Sequence, residues 1–403
     1  MHVLQVCSWY PSEYANLCGC FFQEQAELLA SAGHQVGVIA LDQPPGPDVA
    51  RTGLGSLLKV ARTFEFKTAG PLKVGQSYRT YPRLERRSLL RSWRSVTINK
   101  SVERYIREHG RPDLIHAQSL LTAAPYAAKM SARFSIPWVY TEHFSGFLEG
   151  DAANQRFLQT RIDGIREALR TCSGGSAVSS KLANAVALAA GGPSPTVIAN
   201  AIDTNFFHPT SSPSDRSSEP FVFCAIGTLR ELKNYDGLIR AFAAAFPDSP
   251  DCKLVIGGDG PLREKLADLT NELGVASQVD FPGKLERADV RTILQRSDTL
   301  VSSSVVETFG VTLIEAMACG KPVLATRSGG PDTFVTPEVG KLVELRDHDS
   351  LVAGLRYMHR HARGLDASTI RNYAVDNFGP LALTRNLEEF YTRSLADSRQ
   401  VAA

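Results

Sequence analysis

The 403-residue sequence has no apolar run approaching the ~18 residues that a membrane-spanning helix needs. Its first residues, Met1 to Ser8, lack a basic leader and a long apolar stretch. They read as a buried first strand, and the protein is expected in the cytoplasm. Cysteine is sparse: Cys7, Cys18, Cys20, Cys172, Cys224, Cys252 and Cys319 are scattered, odd in number and form no Cys-x-x-Cys pair. Cys18-Gly19-Cys20 is too tight for a zinc knuckle, so the thiols read as buried or incidental. There is no His-Glu-x-x-His, no Gly-x-Ser-x-Gly elbow and no Gly-x-x-x-x-Gly-Lys-Ser/Thr loop. Those absences count against zinc-hydrolase, serine-hydrolase and P-loop chemistry. No Gly-x-Gly-x-x-Gly follows the first strand, which weakens a dinucleotide dehydrogenase reading. No aromatic–basic signature points to nucleic acid.

Net charge is also small, +2, but it is unevenly placed. Between Arg51 and Arg111 stand 15 basic residues against four acidic ones, a net of +11, and the remainder carries −9. Arg86, Arg87, Arg91 and Arg94 interleave with Leu89, Leu90 and Trp93. That mixture suits a helix on an anionic surface, and equally a solvated helix packed on its own sheet.

Strand and helix signals alternate along most of the chain, which predicts an α/β fold with parallel sheets. Strands are expected at Val3–Cys7, Gln35–Leu41, Leu114–His116, Trp138–Thr141 and Gly175–Val178. Helices are expected over Phe21–Ala32 and Ser88–Glu108. The stretch from about Pro44 to Pro82 shows no clean period and reads as a long loop or irregular insertion. A Pro- and Ser-rich segment, residues 208–220, has the composition of a linker. Alternation then restarts, with strands at Phe221–Ile226, Lys253–Gly257, Val279–Phe281, Thr299–Ser302 and Pro322–Ala325. The expected organisation is therefore two facing Rossmann-like domains, 1–207 and 221–380, with a cleft between them. A final helical segment, 381–403, is able to pack on either domain. In open parallel sheets ligands sit beyond the carboxyl ends of the strands, so the informative residues are those just after strands.

Glu307-Thr308-Phe309-Gly310-Val311-Thr312-Leu313-Ile314-Glu315 follows an apolar strand and enters a helix. Gly310 allows close backbone approach, and the amides of Gly310, Val311 and Thr312 at a helix start suit a phosphate. Glu307 and Glu315 are placed to accept hydroxyls of a sugar or ribose. Gly227 to Asn234, with Arg230 and Lys233, is a turn suited to a diphosphate. Gly257-Gly258-Asp259-Gly260-Pro261, Phe281-Pro282-Gly283-Lys284-Leu285 and Gly329-Gly330-Pro331-Asp332 are further turns at strand ends. His116 and His143 both follow strands. His359 and His361 sit in a polar helix and read as exposed. Asp347-His348-Asp349 precedes a helix, so N-capping explains it better than a metal.

These motifs, in this order, resemble the family 4 glycosyltransferases, retaining enzymes of the GT-B architecture. The E-x7-E signature falls on Glu307 and Glu315, and the phosphate turn on Gly227 to Lys233. The G-x-G-P turn falls on Gly258 to Pro261. Tyr10-Pro11, Gly19 to Ala26, Val178-Ser179 and Asn200 to Phe207 match as well. The resemblance implies that Glu315 binds the donor's ribose and Glu307 the donor sugar, with Lys233 neutralising the diphosphate. It implies that Gly19 closes on the diphosphate and the backbone near Leu285 holds the base. Arg230, Gly258, Gly260, Phe309, Gly310, Val311 and Thr312 would complete the donor site. His143 would stand beside the reacting sugar, making His143, Glu307 and Lys233 the catalytic set. One position departs: the family usually has Arg where this chain has Thr228, with Arg230 two residues on.

The resemblance thus implies a metal-independent transferase with no cofactor beyond its co-substrate, a UDP- or GDP-linked sugar. Its acceptor is expected to be a lipid-linked or envelope polysaccharide intermediate, with the Arg86–Arg94 region on the inner face of the plasma membrane. The alternatives are a nucleotide-sugar epimerase of the same architecture, or a non-catalytic scaffold motivated by Thr228.

Overall fold

The computed structural model describes residues 1–11, 19–43, 64–69, 72–78, 88–191, 194–210 and 218–402. The first domain runs β1 (His2–Cys7), α1 (Cys20–Ser31), β2 (Gln35–Gln43), β3 (Phe64–Ala69), β4 (Leu72–Tyr78) and α2 (Ser88–His109). It continues with β5 (Leu114–Gln118), α3 (Ala123–Phe134), β6 (Trp138–Glu142), α4 (Ala152–Gln159), α5 (Ile162–Leu169), β7 (Gly174–Ala177), α6 (Ser180–Ala190) and β8 (Thr196–Val197). The second runs β9 (Phe221–Ile226), α7 (Tyr235–Ala245), β10 (Cys252–Gly257), α8 (Arg263–Glu272), β11 (Val279–Gly283), α9 (Arg287–Arg296) and β12 (Thr299–Ser302). Then come α10 (Val311–Ala318), β13 (Val323–Thr326), β14 (Gly340–Val343), α11 (His348–His361), α12 (Ala367–Phe378) and α13 (Pro380–Ala402).

The first sheet has the order β3-β4-β2-β1-β5-β6-β7-β8 and the second β11-β10-β9-β12-β13-β14. Every residue of β1, β5 and β6 is buried, because helices cover both faces. In each sheet the strand order reverses once near the middle, beside β1 and β5 in the first and beside β9 and β12 in the second. In open parallel sheets such reversals are where ligands bind, beyond the carboxyl ends.

Three expectations need correction. The Pro44–Pro82 stretch is not wholly irregular: β3 and β4 form an antiparallel pair at the sheet edge, with Phe64 opposite Ser77 and Ala69 opposite Leu72. The first sheet is therefore parallel except at that edge. His359 is not exposed: it is half-buried against the rings of Phe221 and Phe246, with centroids 5.1 and 5.2 Å away. Arg86, Arg87 and residues 211–217 of the linker lie outside the described residues, as do the side chains of Leu89, Leu90, Arg91, Trp93 and Arg94.

The two domains share structure at their edges. Helix α13 follows the second domain but packs on the first, with Leu383, Leu387, Phe390 and Tyr391 in one apolar cluster with Val3, Val38, Leu114 and Val139. Tyr391 Oη lies 2.7 Å from Nδ1 of His116, and Thr141 Oγ1 lies 2.7 Å from its Nε2. His116 is thus a satisfied core histidine, held neutral by burial that drops its pKa to about 3. Arg371 of α12 donates to the carbonyls of Thr204 and Phe207, fastening the interdomain segment to the second domain.

Tyr391→Phe should leave one His116 ring nitrogen buried and unmet. A loss of about 1–3 kcal/mol in urea unfolding is expected. An unchanged midpoint would show that the helix is held by its apolar face alone.

Candidate active site

The second-domain half of the site is built on glycine turns packed backbone against backbone. A β-carbon on Gly258, whose φ is 133°, would collide with the carbonyl oxygen of Gly227. One on Gly260 would stand 2.6 Å from the carbonyl oxygen of Leu229. The turns after β9 and β10 are therefore bonded face to face, with Gly227 N–H on Gly257 and Leu229 N–H on Asp259, both at 3.0 Å. Leu285, after β11, closes over Gly257. The 3-10 turn Glu231–Lys233 then aims Lys233 across the strand reversal. Its Nζ lies 2.6 Å from Glu307 Oε2. Arg230 and Thr228 are exposed at the edge of that turn. Among the described residues the ion pair of Glu307 is with Lys233, and the same Oε2 also accepts from Ser304 Oγ at 3.5 Å.

Glu307 is held from beneath by the turn after β13. Gly330 N–H donates to its carbonyl at 2.7 Å, and its own N–H donates to Ser328 at 3.2 Å. Gly310, at φ 99°, reverses the chain into α10. The helix therefore begins beside Glu307 with its positive end, amides of Val311 and Thr312 included, at the crevice. Phe309 contributes backbone only, because its ring is 2% exposed and packs on Phe334 and Phe378.

Glu315, one turn into α10, faces the first domain. Burial pushes its carboxyl up to about 8, the nearby Glu24 of α1 adds to that, and Arg287 opposes it. Arg287 Nη2 bridges to Glu24 Oε1 at 2.9 Å, across the cleft. Gly19, at φ 75° and wedged on Trp9, starts α1 and so places this helix end opposite α10. Ser180 N–H donates to Thr333 Oγ1 at 3.3 Å, a second contact between the domains. Glu24 and Arg287 escape sequence reasoning, although Glu24 lies inside the Gly19–Ala26 motif and Arg287 stands two residues after Leu285.

His143 comes from the first domain, just past β6, and is 8% exposed. Its ring stacks on Phe21 with centroids 5.0 Å apart and meets Phe22 edge-on at 4.9 Å. Burial lowers its pKa to about 3, so the imidazole is neutral. The preceding Glu142 is another residue that sequence reasoning passes over. It is fully buried and accepts from the amides of Leu120, His143 and Phe144 at 2.6–2.8 Å and from Ser119 Oγ at 3.0 Å. Burial raises its pKa against the pull of those donors. It ties the loop after β6 to the loop after β5. Asp347 caps α11, accepting from Ser350 N–H at 2.9 Å.

Two Rossmann-like domains, with acidic, basic and helix-terminal groups converging at their facing strand reversals, define a GT-B transferase. Two family models cover the chain in succession: Glycosyltransferase Family 4 over residues 21–206 and Glycosyl transferases group 1 over 209–372. The chain belongs to the family 4 glycosyltransferases, which act on nucleotide sugars. It is similar to a glycogen synthase of Mycobacterium tuberculosis, 25% identical over 377 residues, spanning 88% of this chain and 85% of that one. It is also similar to a GDP-mannose-dependent alpha-(1-6)-phosphatidylinositol monomannoside mannosyltransferase of Mycolicibacterium smegmatis. That match is 33% identical over 196 residues, 44% of this chain and 50% of the relative. Among solved structures, sucrose-phosphate synthase from Thermosynechococcus elongatus shares the fold with a TM-score of 0.74 at 19% identity, covering 98% of this chain and all of that one. Anabaena Alr3699/HepE in complex with UDP shares it at 0.70 and 23% identity, covering 97% of this chain and all of that one.

The Glu315 pKa, raised above the usual 4.5, gives a pH test. Its protonated folded form contributes stability in full below pH 4.5, and that contribution is lost as pH rises towards 8. Glu315→Gln mimics the protonated carboxyl. It should match wild type near pH 4.5 and become the more stable of the two at higher pH, by up to about 1.4 kcal/mol per pH unit. A pH-independent difference in urea unfolding would contradict the assignment.

Proposed function

We propose that the protein is a retaining, metal-independent glycosyltransferase that moves a sugar from a nucleoside-diphosphate donor to an acceptor hydroxyl. The observation that carries this reading is the Lys233–Glu307 pair beside the start of α10, with Glu315 one turn further and His143 on the facing domain. A donor diphosphate would take Lys233 from Glu307 and add the amides of α10. The released Glu307 carboxylate would accept hydroxyls of the donor sugar, and Glu315 those of the ribose. Lys233 and the helix end then supply the charge stabilisation that a metal ion supplies elsewhere. The bond between the anomeric carbon and the diphosphate oxygen breaks. The departing diphosphate takes the acceptor's proton, and the new bond forms on the face just vacated. Positioning and electrostatics are the protein's part.

For the acceptor we infer a lipid-linked or envelope glycan, met at the inner face of the plasma membrane. Two observations support it: the +11 block from Arg51 to Arg111, and the inositol-lipid mannosyltransferase among the relatives. Among the described residues, no helix is long and apolar enough to cross a membrane. Basic residues near an anionic bilayer contribute ~1 kcal/mol each. Binding to vesicles containing phosphatidylglycerol should therefore fall steeply with salt; salt-insensitive binding would remove the basic block as its cause, and no binding at low salt would remove the membrane from the picture.

The first test is thermal shift with UDP, GDP, ADP and their sugar conjugates in EDTA. A nucleotide at 100-fold its Kd stabilises by ~2.7 kcal/mol. A shift with one nucleotide, lost in Glu315→Ala, is expected. With the donor known, Lys233→Ala should lower kcat by about 10²–10³, and the product's anomeric proton coupling should match the donor's. No shift with any nucleotide would favour the scaffold reading, and an inverted product would overturn retention.

A further inference from the structure

Three glutamine side chains lie together in the interior of the first domain: Gln5 of β1, Gln25 of α1 and Gln118 at the end of β5. They are 0, 6 and 0% exposed. A buried amide is costly unless its hydrogen bonds are met, so packing alone is a poor reason for three. Their bonds run in one direction. Gln5 Nε2 and Gln118 Nε2 both donate to Gln25 Oε1, which leaves Gln118 Oε1 facing His143 Nε2 at 3.2 Å.

A neutral imidazole carries one N–H, and the nitrogen that bears it is set by the partner of the other. With Gln118 offering an oxygen, the proton sits on Nε2. Nδ1 is then a bare acceptor, and among the described residues it is enclosed without a partner. Turning all three amides over would reverse the tautomer and strand a donor on Nδ1 and another on Gln5. The present sense instead leaves two acceptors unmet, Nδ1 and Gln5 Oε1. Unmet buried N–H groups are the rarer defect, so the present sense is favoured. Glu142 and His116 do not disturb the choice: the oxygens of Glu142 are taken up by backbone amides and Ser119, and His116 is bonded on both nitrogens. Phe21 and Phe22 fix the ring plane.

We propose that Gln118 is a positioning residue whose side-chain oxygen holds His143 as the Nε2–H tautomer, which leaves Nδ1 as the acceptor of the ring. This rests on the reading of His143 as lying beside the reacting sugar. The test is the ¹⁵N spectrum of histidine-labelled protein, with His143 assigned by its loss in His143→Ala, together with steady-state kinetics. Wild type should show the Nε2–H pattern. Gln118→Leu should populate Nδ1–H and lower kcat at least tenfold with nucleotide Kd unchanged. Gln118→Glu keeps an oxygen towards Nε2 and should retain the tautomer and recover most of the loss. A wild-type Nδ1–H pattern would overturn the proposal without any Gln118 variant having to fold. So would Gln118→Leu with an unaltered tautomer and kcat. The Nε2–H tautomer in wild type, combined with a fully active His143→Ala, would overturn it through the reading of the site rather than through Gln118.

Discussion

An ammonium and a carboxylate 2.6 Å apart, Lys233 and Glu307, occupy the reversal point of the second sheet, and the surrounding construction serves to put them there. Neither is fully buried, so the pair contributes little to stability as such. Its geometry is demanding all the same. Lys233 depends on a turn that fits only because Gly258 and Gly260 let two backbones touch. Glu307 depends on Gly330, where any β-carbon would run into the backbone of Phe309. On the proposed reading the carboxylate is a placeholder for the diphosphate. A ligand that does not bring comparable negative charge gains nothing by displacing it, which makes the pair a filter as well as a binding group.

Much of this is legible in the sequence, for a physical reason. Strands covered on both faces read as apolar runs, and each hands its chain to a small-residue turn. Phe221–Ile226 and Thr299–Ser302 therefore coincide with the strands expected there, and most others differ by a residue or two. The hairpin of β3 and β4 is less visible because it lies within a basic stretch bounded by Gly and Pro. His359 reads as exposed from its polar helix, yet Phe221 and Phe246 from other elements close around it.

The site divides the same way. Glu307, Glu315, Lys233 and the glycine turns announce themselves because each stands just past a strand in a recognisable order. Partnerships between distant residues do not. Glu24 looks like an ordinary surface acid on α1 until Arg287 arrives from the other domain. Gln5, Gln25 and Gln118 look like outward-facing polar residues, since hydrophobic periodicity treats every amide as solvated. Only the fold shows that they turn inward to meet one another.

Helix α13 has a consequence for synthesis. Its Leu387, Phe390 and Tyr391 belong to the core that begins at Val3, and His116 has no phenol to bond until Tyr391 exists. A chain made from its amino end must therefore hold the first domain open along that seam while the whole second domain emerges. Domains generally fold as units in the order they are made. Here the first to appear is the last to be finished, because its core lacks the side chains of α13 until that helix is made.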